Sequence, residues 1–245
     1  MVPAFLFLLN SPECKKMPLD KNSYKWFYDN IQSHYYNLAM KWCFLPFGGE
    51  RRCRQELIKP IRFEPTDKIL DMCCGTGGAT FAIAQKAGSE AEIIGIDLSR
   101  GQIKIAQSWL NKFTSTENRF NNVNFIEGDA TKTCFREGYF NKVFITHALH
   151  EMQREERLDT LREAKRILKE NGRVIILEVD NPKNLFVRLF TGFWLFYWLP
   201  FNFETPTRRD MLKCGLENEI KEAGFQNIGK ISSHQGVLQV VQGEK

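Results

Sequence analysis

The residues most able to do chemistry run from Ile69 to Gly78, reading Ile-Leu-Asp-Met-Cys-Cys-Gly-Thr-Gly-Gly. An apolar run that opens onto close-set glycines predicts a strand turning tightly into a helix. Glycine tolerates such a turn, and Gly75 and Gly77 leave no side chain between backbone and ligand. In an open α/β sheet that turn lies at the carboxyl end of a strand, where ligands bind. A pyrophosphate-binding loop would read G-x-G-x-x-G, but Thr80 stands at the third glycine position. Asp71, four residues before Gly75, places a carboxylate in the strand itself, which suits a cationic group better than a phosphate.

Two further acidic positions follow apolar runs. Asp97 closes Glu92–Asp97, 22 residues after Gly75, where a carboxylate accepts hydrogen bonds from ribose hydroxyls. Ser99 is the better cap for the next helix. Gly128-Asp129-Ala130 follows a third run, Val123–Glu127. There Asp129 can meet an adenine amino group and the Ala130 amide a ring nitrogen; alone, Asp129 serves equally well as a loop cap. His147 and His150 come just after a fourth run, Tyr139–Thr146. An imidazole titrates near neutrality, as a general base must, and residues three apart can share one face of a helical turn. Local packing is the alternative for each.

The elements that position these residues alternate. Strands are expected over 68–74, 92–97, 123–127, 139–146 and 172–178, with helices over 78–87, 99–112 and 154–170 between them. Such alternation demands a parallel sheet covered on both faces, a doubly wound α/β fold. A helix over 208–223 precedes two strands, 227–233 and 237–241, spaced as an antiparallel hairpin. Two helices, over 21–46 and 50–61, form an N-terminal helical cap. The expected organisation is a flexible leader over 1–20, the cap over 21–66 and one domain over 67–245. Within that domain 185–207 is an apolar, aromatic insert.

Composition narrows the function classes. The chain has 245 residues, 43% hydrophobic, with a net charge of +5 spread along its length. No block of Lys and Arg marks a nucleic-acid tail. Seven cysteines without a CxxC pair suggest neither a disulfide framework nor a zinc site, and fit free thiols in a reducing cytosol. No metal is expected.

The ordered set Ile69–Gly78, Gly95–Ser99, Glu127–Ala130 and Arg166–Arg173 resembles the motifs of class I S-adenosylmethionine-dependent methyltransferases, over roughly residues 65–180. The resemblance implies a seven-stranded sheet with the last strand antiparallel, and S-adenosylmethionine as methyl donor. Within that class, Leu70–Gly78, Tyr28-Asp29, Tyr35-Tyr36 and Phe47-Gly48-Gly49 look most like the ubiquinone and menaquinone biosynthesis methyltransferases. Carried over from that family, the donor's contacts are Thr76, Asp97, Asp129 with Ala130, and Thr146. Leu98, Gln102 and Tyr28 are further candidates. The chain departs from the family after strand four, where His150 takes an arginine's position in Ala148-Leu-His-Glu151, and at its C-terminal end.

Methyl transfer from a sulfonium is a direct displacement, so alignment dominates and a base is needed only if the acceptor must lose a proton. The sequence points to a small, apolar acceptor: a quinone-like carbon, a lipid amine or a thiol. The 185–203 stretch reads as a lid over such an acceptor, as a segment resting on a membrane surface, or as a buried helix; it is too short to span a bilayer. A cytoplasmic protein, with membrane contact through this stretch, is the expectation. A nucleic-acid methyltransferase is the rival enzyme, but Thr146-His-Ala-Leu-His150 lacks the Pro-Pro-aromatic grip on a flipped base. A non-catalytic donor-binding protein is the rival of another class.

Overall fold

The computed structural model describes residue 45 and residues 48–117, 119–190 and 205–245. The leader, the 21–46 helix with Tyr28, and 191–203 of the aromatic stretch lie outside these residues, apart from Leu45. Seven strands form one sheet in the order β3-β2-β1-β4-β5-β7-β6. They are β1 Lys68–Met72, β2 Glu92–Asp97, β3 Val123–Glu127, β4 Phe140–Thr146, β5 Leu168–Val179, β6 Gln226–Ser233 and β7 Leu238–Glu244. β1 to β5 pair in parallel, and β7 enters antiparallel between β5 and β6. The expected doubly wound sheet with an antiparallel last strand is therefore present.

Side chains alternate across this sheet and build two cores. Ile69, Ile93, Phe125 and Phe144 face one layer, which holds helices α1 (Glu50–Ile58), α2 (Gly78–Ala87) and α3 (Arg100–Glu117). Leu70, Ile96, Val143 and Ile145 face the other, under α4 (Arg154–Ile167), α5 (Thr205–Cys214) and α6 (Leu216–Glu222). Gly95 leaves room for the Phe125 ring of the neighbouring strand: a Cβ there would stand 2.6 Å from it.

Several boundaries differ from the sequence reading. The 154–170 helix ends at Ile167. Leu168 already pairs with Phe140, and the strand shifts register before Arg173 pairs with Lys142; Asn171, with φ of 62°, lies in that shift. The single helix expected over 208–223 is two helices, because Gly215 adopts φ 81° and caps α6. β1 stops at Met72, since Cys73 already has φ 60°.

Arg157 of α4 ties this second layer together. It is fully buried, donates to Glu219 of α6 (2.6 Å) and Asp210 of α5 (2.7 Å), and caps the Met152 carbonyl (2.8 Å). A buried guanidinium with several acceptors leaves none of its charge uncompensated. α5 in turn reaches the sheet edge, where the Thr207 hydroxyl donates to the His150 carbonyl at 2.7 Å.

Candidate functional site at the carboxyl edge of the sheet

The carboxyl ends of β1, β2 and β4 surround a cavity of about 40 Å³. Asp71, Cys73, Cys74, Gly75, Asp97, Gln102, Thr146, His147, Glu151 and Arg54 are among its lining residues. Six expected site residues thus come together: Asp71, Gly75, Asp97, Gln102, Thr146 and His147. Arg54 of α1 and Glu151 join them without having been singled out in the sequence.

The glycine loop is held from below. The Gly75 N–H donates to Asp97 Oδ2 and the Ser99 N–H to Asp97 Oδ1, both at 2.8 Å. One carboxylate at the end of β2 therefore clamps the loop after β1 to the start of α3. Ser99 caps α3 as expected, its Oγ accepting from the Gln102 N–H at 3.2 Å. Gly77 has φ 83°, and a Cβ there would meet the Phe125 ring at 2.6 Å, so only glycine fits. Cys73, at φ 60°, holds a conformation costly for a side-chain-bearing residue, a kind of strain found at functional sites. Burial, with Asp97 and Asp71 close by, pushes both cysteine thiols well up, so they are protonated neutral groups.

Polar atoms in this cavity lack partners. Asp71 Oδ1, Thr146 Oγ1 and both polar atoms of the Gln102 amide are buried with no hydrogen-bond partner among the described residues. Buried polar atoms are ordinarily satisfied, and orphans call for a ligand or water. Asp71 is fully buried, with Oδ2 bound by the Thr80 hydroxyl at 2.6 Å. Burial pushes its carboxyl up to about 7, against the Thr80 hydrogen bond and the Arg54 charge, which pull it down. Arg54 and, once it is ionised, Asp71 present opposite charges to one small space. That pattern matches a zwitterionic amino-acid group, and so the donor expected from sequence.

The other expected residues lie apart from this cavity. Thr76 lines a wider groove of about 460 Å³ with Arg51, Phe81, Trp109 and Phe120, which Arg54 also lines. Asp129 Oδ1 accepts from the Thr131 N–H and hydroxyl at 2.8 and 2.7 Å, the loop-cap geometry. Ala130 is buried in the second core. Leu98 is half-buried beside Asp97.

At the β4 and β5 edges the histidines converge on a carboxylate. Glu178 of β5 is fully buried; its Oε1 lies 2.8 Å from His150 Nδ1 and 3.8 Å from His147 Nδ1. Burial alone would raise this carboxyl, but the His150 charge and the bonds from both rings outweigh it and hold it well below the usual range. Burial lowers His147, against the pull of Glu178. His147 adopts φ 51°, and its N–H donates to the Leu177 carbonyl at 2.8 Å. Glu178 was not among the sequence candidates, although a carboxylate inside Val174–Val179, an otherwise apolar strand end, is itself a signal, since such groups are seldom buried unpaired.

A strand order of this kind with a glycine loop after β1 and an acid ending β2 defines the class I methyltransferase fold, whose methyl donor is S-adenosylmethionine. The chain belongs to the family described as methyltransferase domain, whose model matches residues 63–195. It is 30% identical over 217 residues to an uncharacterised methyltransferase of Synechocystis, covering 84% of this chain and 89% of that one. A demethylmenaquinone methyltransferase of Lactococcus lactis is 35% identical over 114 residues, 46% of this chain and 42% of the relative. Among solved structures, phosphoethanolamine N-methyltransferase 2 of Haemonchus contortus, in complex with S-adenosyl-L-methionine, superposes with a TM-score of 0.64 at 16% identity. That match covers 91% of this chain and 60% of the other. The protein is thus a methyltransferase. Among the described residues no helix is long and apolar enough to cross a membrane.

Proposed function

We propose that the protein transfers a methyl group from S-adenosylmethionine to a small, apolar acceptor. The observation that carries the donor half is the set of orphaned buried atoms on Asp71, Gln102 and Thr146 around the cavity. On this reading Asp71 faces the donor's ammonium, Arg54 its carboxylate, and Asp97 the ribose hydroxyls. A carboxylate has lone pairs beyond those that the Gly75 and Ser99 amides use. The donor needs more room than about 40 Å³, and Arg54, shared by cavity and groove, is the side chain whose movement would join them. Gly75 and Gly77 let the backbone come close, and Thr76, Leu98, Asp129 and Ala130 stand on the loops that flank this path.

Two observations support an apolar acceptor. A relative described as a demethylmenaquinone methyltransferase is 35% identical over 114 residues, and the helical stretch over 185–190 exposes Leu185, Phe186, Leu189 and Phe190 at 55–85%. Neighbouring exposed apolar side chains of this size mark a surface that meets an apolar ligand or a lipid layer. On this reading His147, which lines the cavity, and His150 are the candidate bases.

Calorimetric titration with S-adenosylmethionine and S-adenosylhomocysteine tests the donor half. Micromolar binding that Asp97→Ala weakens is the expected result; no binding by folded wild type overturns the reading. Labelled donor, offered with a demethylmenaquinol, a lipid amine, a thiol and RNA, then tests the acceptor class, and methyl incorporation into RNA alone would overturn it.

A further inference from the structure

β5 runs parallel to β4 and leaves the sheet at Val179, on the edge that carries the donor cavity. The chain is pinned there. The Asp180 N–H donates to the Val237 carbonyl at 2.7 Å. Pro182 is buried against Gly236 of the β6–β7 turn, where a Cβ would stand 3.3 Å from the proline Cα. Asn184 then starts a helical stretch. Its side-chain oxygen accepts from the Phe186 N–H and its carbonyl from the Arg188 N–H, both at 2.9 Å, which is how asparagine caps a helix.

The residues over 185–190 are laid out as one apolar face. At about 100° per residue, positions 185, 186, 189 and 190 fall within an arc of about 140°, and Val187 and Arg188 lie off it. Leu185, Phe186, Leu189 and Phe190 on that arc are 64%, 85%, 63% and 55% exposed. Large apolar side chains gathered on one exposed face gain by leaving water for a second apolar phase. The charges beside them are of one sign. Between residues 181 and 203 the only charged side chains are Lys183 and Arg188, both exposed. The acid just before them, Asp180, is paired with Lys230 at 3.0 Å. Cations flanking an apolar helical face are attracted to anionic lipid headgroups. A second copy docking through the same patch would bring two more cations to a rim that holds only cations.

We propose that the 185–190 face rests on a lipid layer carrying anionic headgroups. Leu185, Phe186, Leu189 and Phe190 enter the apolar layer, and Lys183 and Arg188 meet the headgroups. The docking stands without the methyl-transfer reading. Its consequence rests on that reading: with the carboxyl edge held at the lipid, an apolar acceptor reaches the donor without first being dispersed in water.

The test is flotation of the full chain, without donor or acceptor, on vesicles of phosphatidylcholine alone and of phosphatidylcholine with an equal part of phosphatidylglycerol. Wild type should float with the anionic vesicles and less with the neutral ones. Phe186→Ser with Leu189→Ser should lower the bound fraction by about tenfold or more, with S-adenosylmethionine affinity within about twofold of wild type. Hydrogen exchange reads the same contact on wild type, with no variant to fold: amides over 185–190 should slow when anionic vesicles are added. No flotation by folded wild type, equal flotation on both compositions, binding that the double substitution leaves intact, or unchanged exchange over 185–190 overturns the proposal. A dimer that the double substitution breaks, without vesicle binding, overturns it too and gives the face to a second copy. Failure on vesicles leaves the methyl-transfer reading untouched, and failure of wild type to bind S-adenosylmethionine leaves the docking result standing.

Discussion

The two halves of the carboxyl edge, one around β1, β2 and α3 and the other around β5 and the turn after β4, satisfy their polar atoms differently. Around β1, β2 and α3, buried atoms of Asp71 and Gln102 have no partner among the described residues. Around β5 and the turn after β4, Glu178 is met from Val179 and His150. Behind that turn Arg157 joins α4, α5 and α6. The contrast is one of degree, since Thr146 Oγ1 at the end of β4 is also buried without a hydrogen-bond partner among the described residues, but Glu178 and Arg157 already hold their groups in place. Damage to the second should therefore cost stability, and damage to the first should cost binding.

The largest effect belongs to the self-contained half. Arg157→Ala leaves Glu219, 1% exposed, as a buried charge without its partner, which costs about 3–5 kcal/mol. Chemical denaturation should show that loss, while donor affinity measured well below the melting temperature changes little. Equal losses of affinity and stability would break the comparison. Next comes Asp97→Ala in the open half. It removes a charged acceptor from the Gly75 and Ser99 amides and from the proposed ribose contact. Hydrogen bonds to charged groups contribute about 1.5–3 kcal/mol each, so calorimetry should show donor affinity falling by about 100-fold. A stability loss larger than the affinity loss would make Asp97 a loop brace alone.

Asp71 sharpens the contrast through pH. In the donor-free protein its carboxyl keeps a proton up to about pH 7 because it is buried, whereas in the unfolded chain the value is about 3.9. The folded state thus binds the extra proton between these values. The resulting stabilisation is complete below about pH 4 and is lost as pH rises through 7. Donor binding runs the other way, since an ammonium group favours the carboxylate. Affinity should climb by up to about tenfold per unit toward pH 7 and level off above it. Paired titrations of wild type and Asp71→Asn check this; a slope that survives in Asp71→Asn assigns the effect to another group.

The open half was also the legible half. Gly75 and Asp97 each follow an apolar run directly, and Asp71 interrupts one, so reading strands along the chain finds them. The clamp between Asp97 and Gly75 spans 22 residues, yet both ends lie in recognisable windows. Glu178 and His150 are 28 residues apart, and only the parallel pairing of β4 with β5 brings them together; nothing local in either window names the other. Nothing local to the 50–61 helix marks Arg54, because its burial depends on α1 packing beside α2. The break at Gly215 was hidden for a similar reason. Apolar spacing continues across it, through Met211, Leu212, Leu216 and Ile220, while the backbone turns at Gly215 with φ 81°. Asp129 shows the converse: its window is recognisable, and its Oδ1 accepts from the Thr131 N–H and hydroxyl, the loop-cap contact that the sequence also allowed.

The smallest predicted effect tests the logic of the comparison most directly. Gln102 is 1% exposed, lines the cavity, and neither polar atom of its amide has a hydrogen-bond partner among the described residues. A buried amide without partners costs about 1–3 kcal/mol by mutational standards. Leucine is one atom shorter, similar in bulk and without polar atoms. If the amide exists to meet the donor, Gln102→Leu should raise the stability of the donor-free protein by about 1 kcal/mol while weakening S-adenosylmethionine binding by about tenfold, one hydrogen-bonded contact's worth. Opposite signs in two measurements on one variant are hard to obtain from a general disturbance, which lowers both. Lower stability with unchanged affinity would mean that the amide is held by ordered water or by the rest of the chain. The open half would then be open at Asp71 and Thr146 alone, and the donor would have to be recognised from the β1 and β4 ends without help from α3.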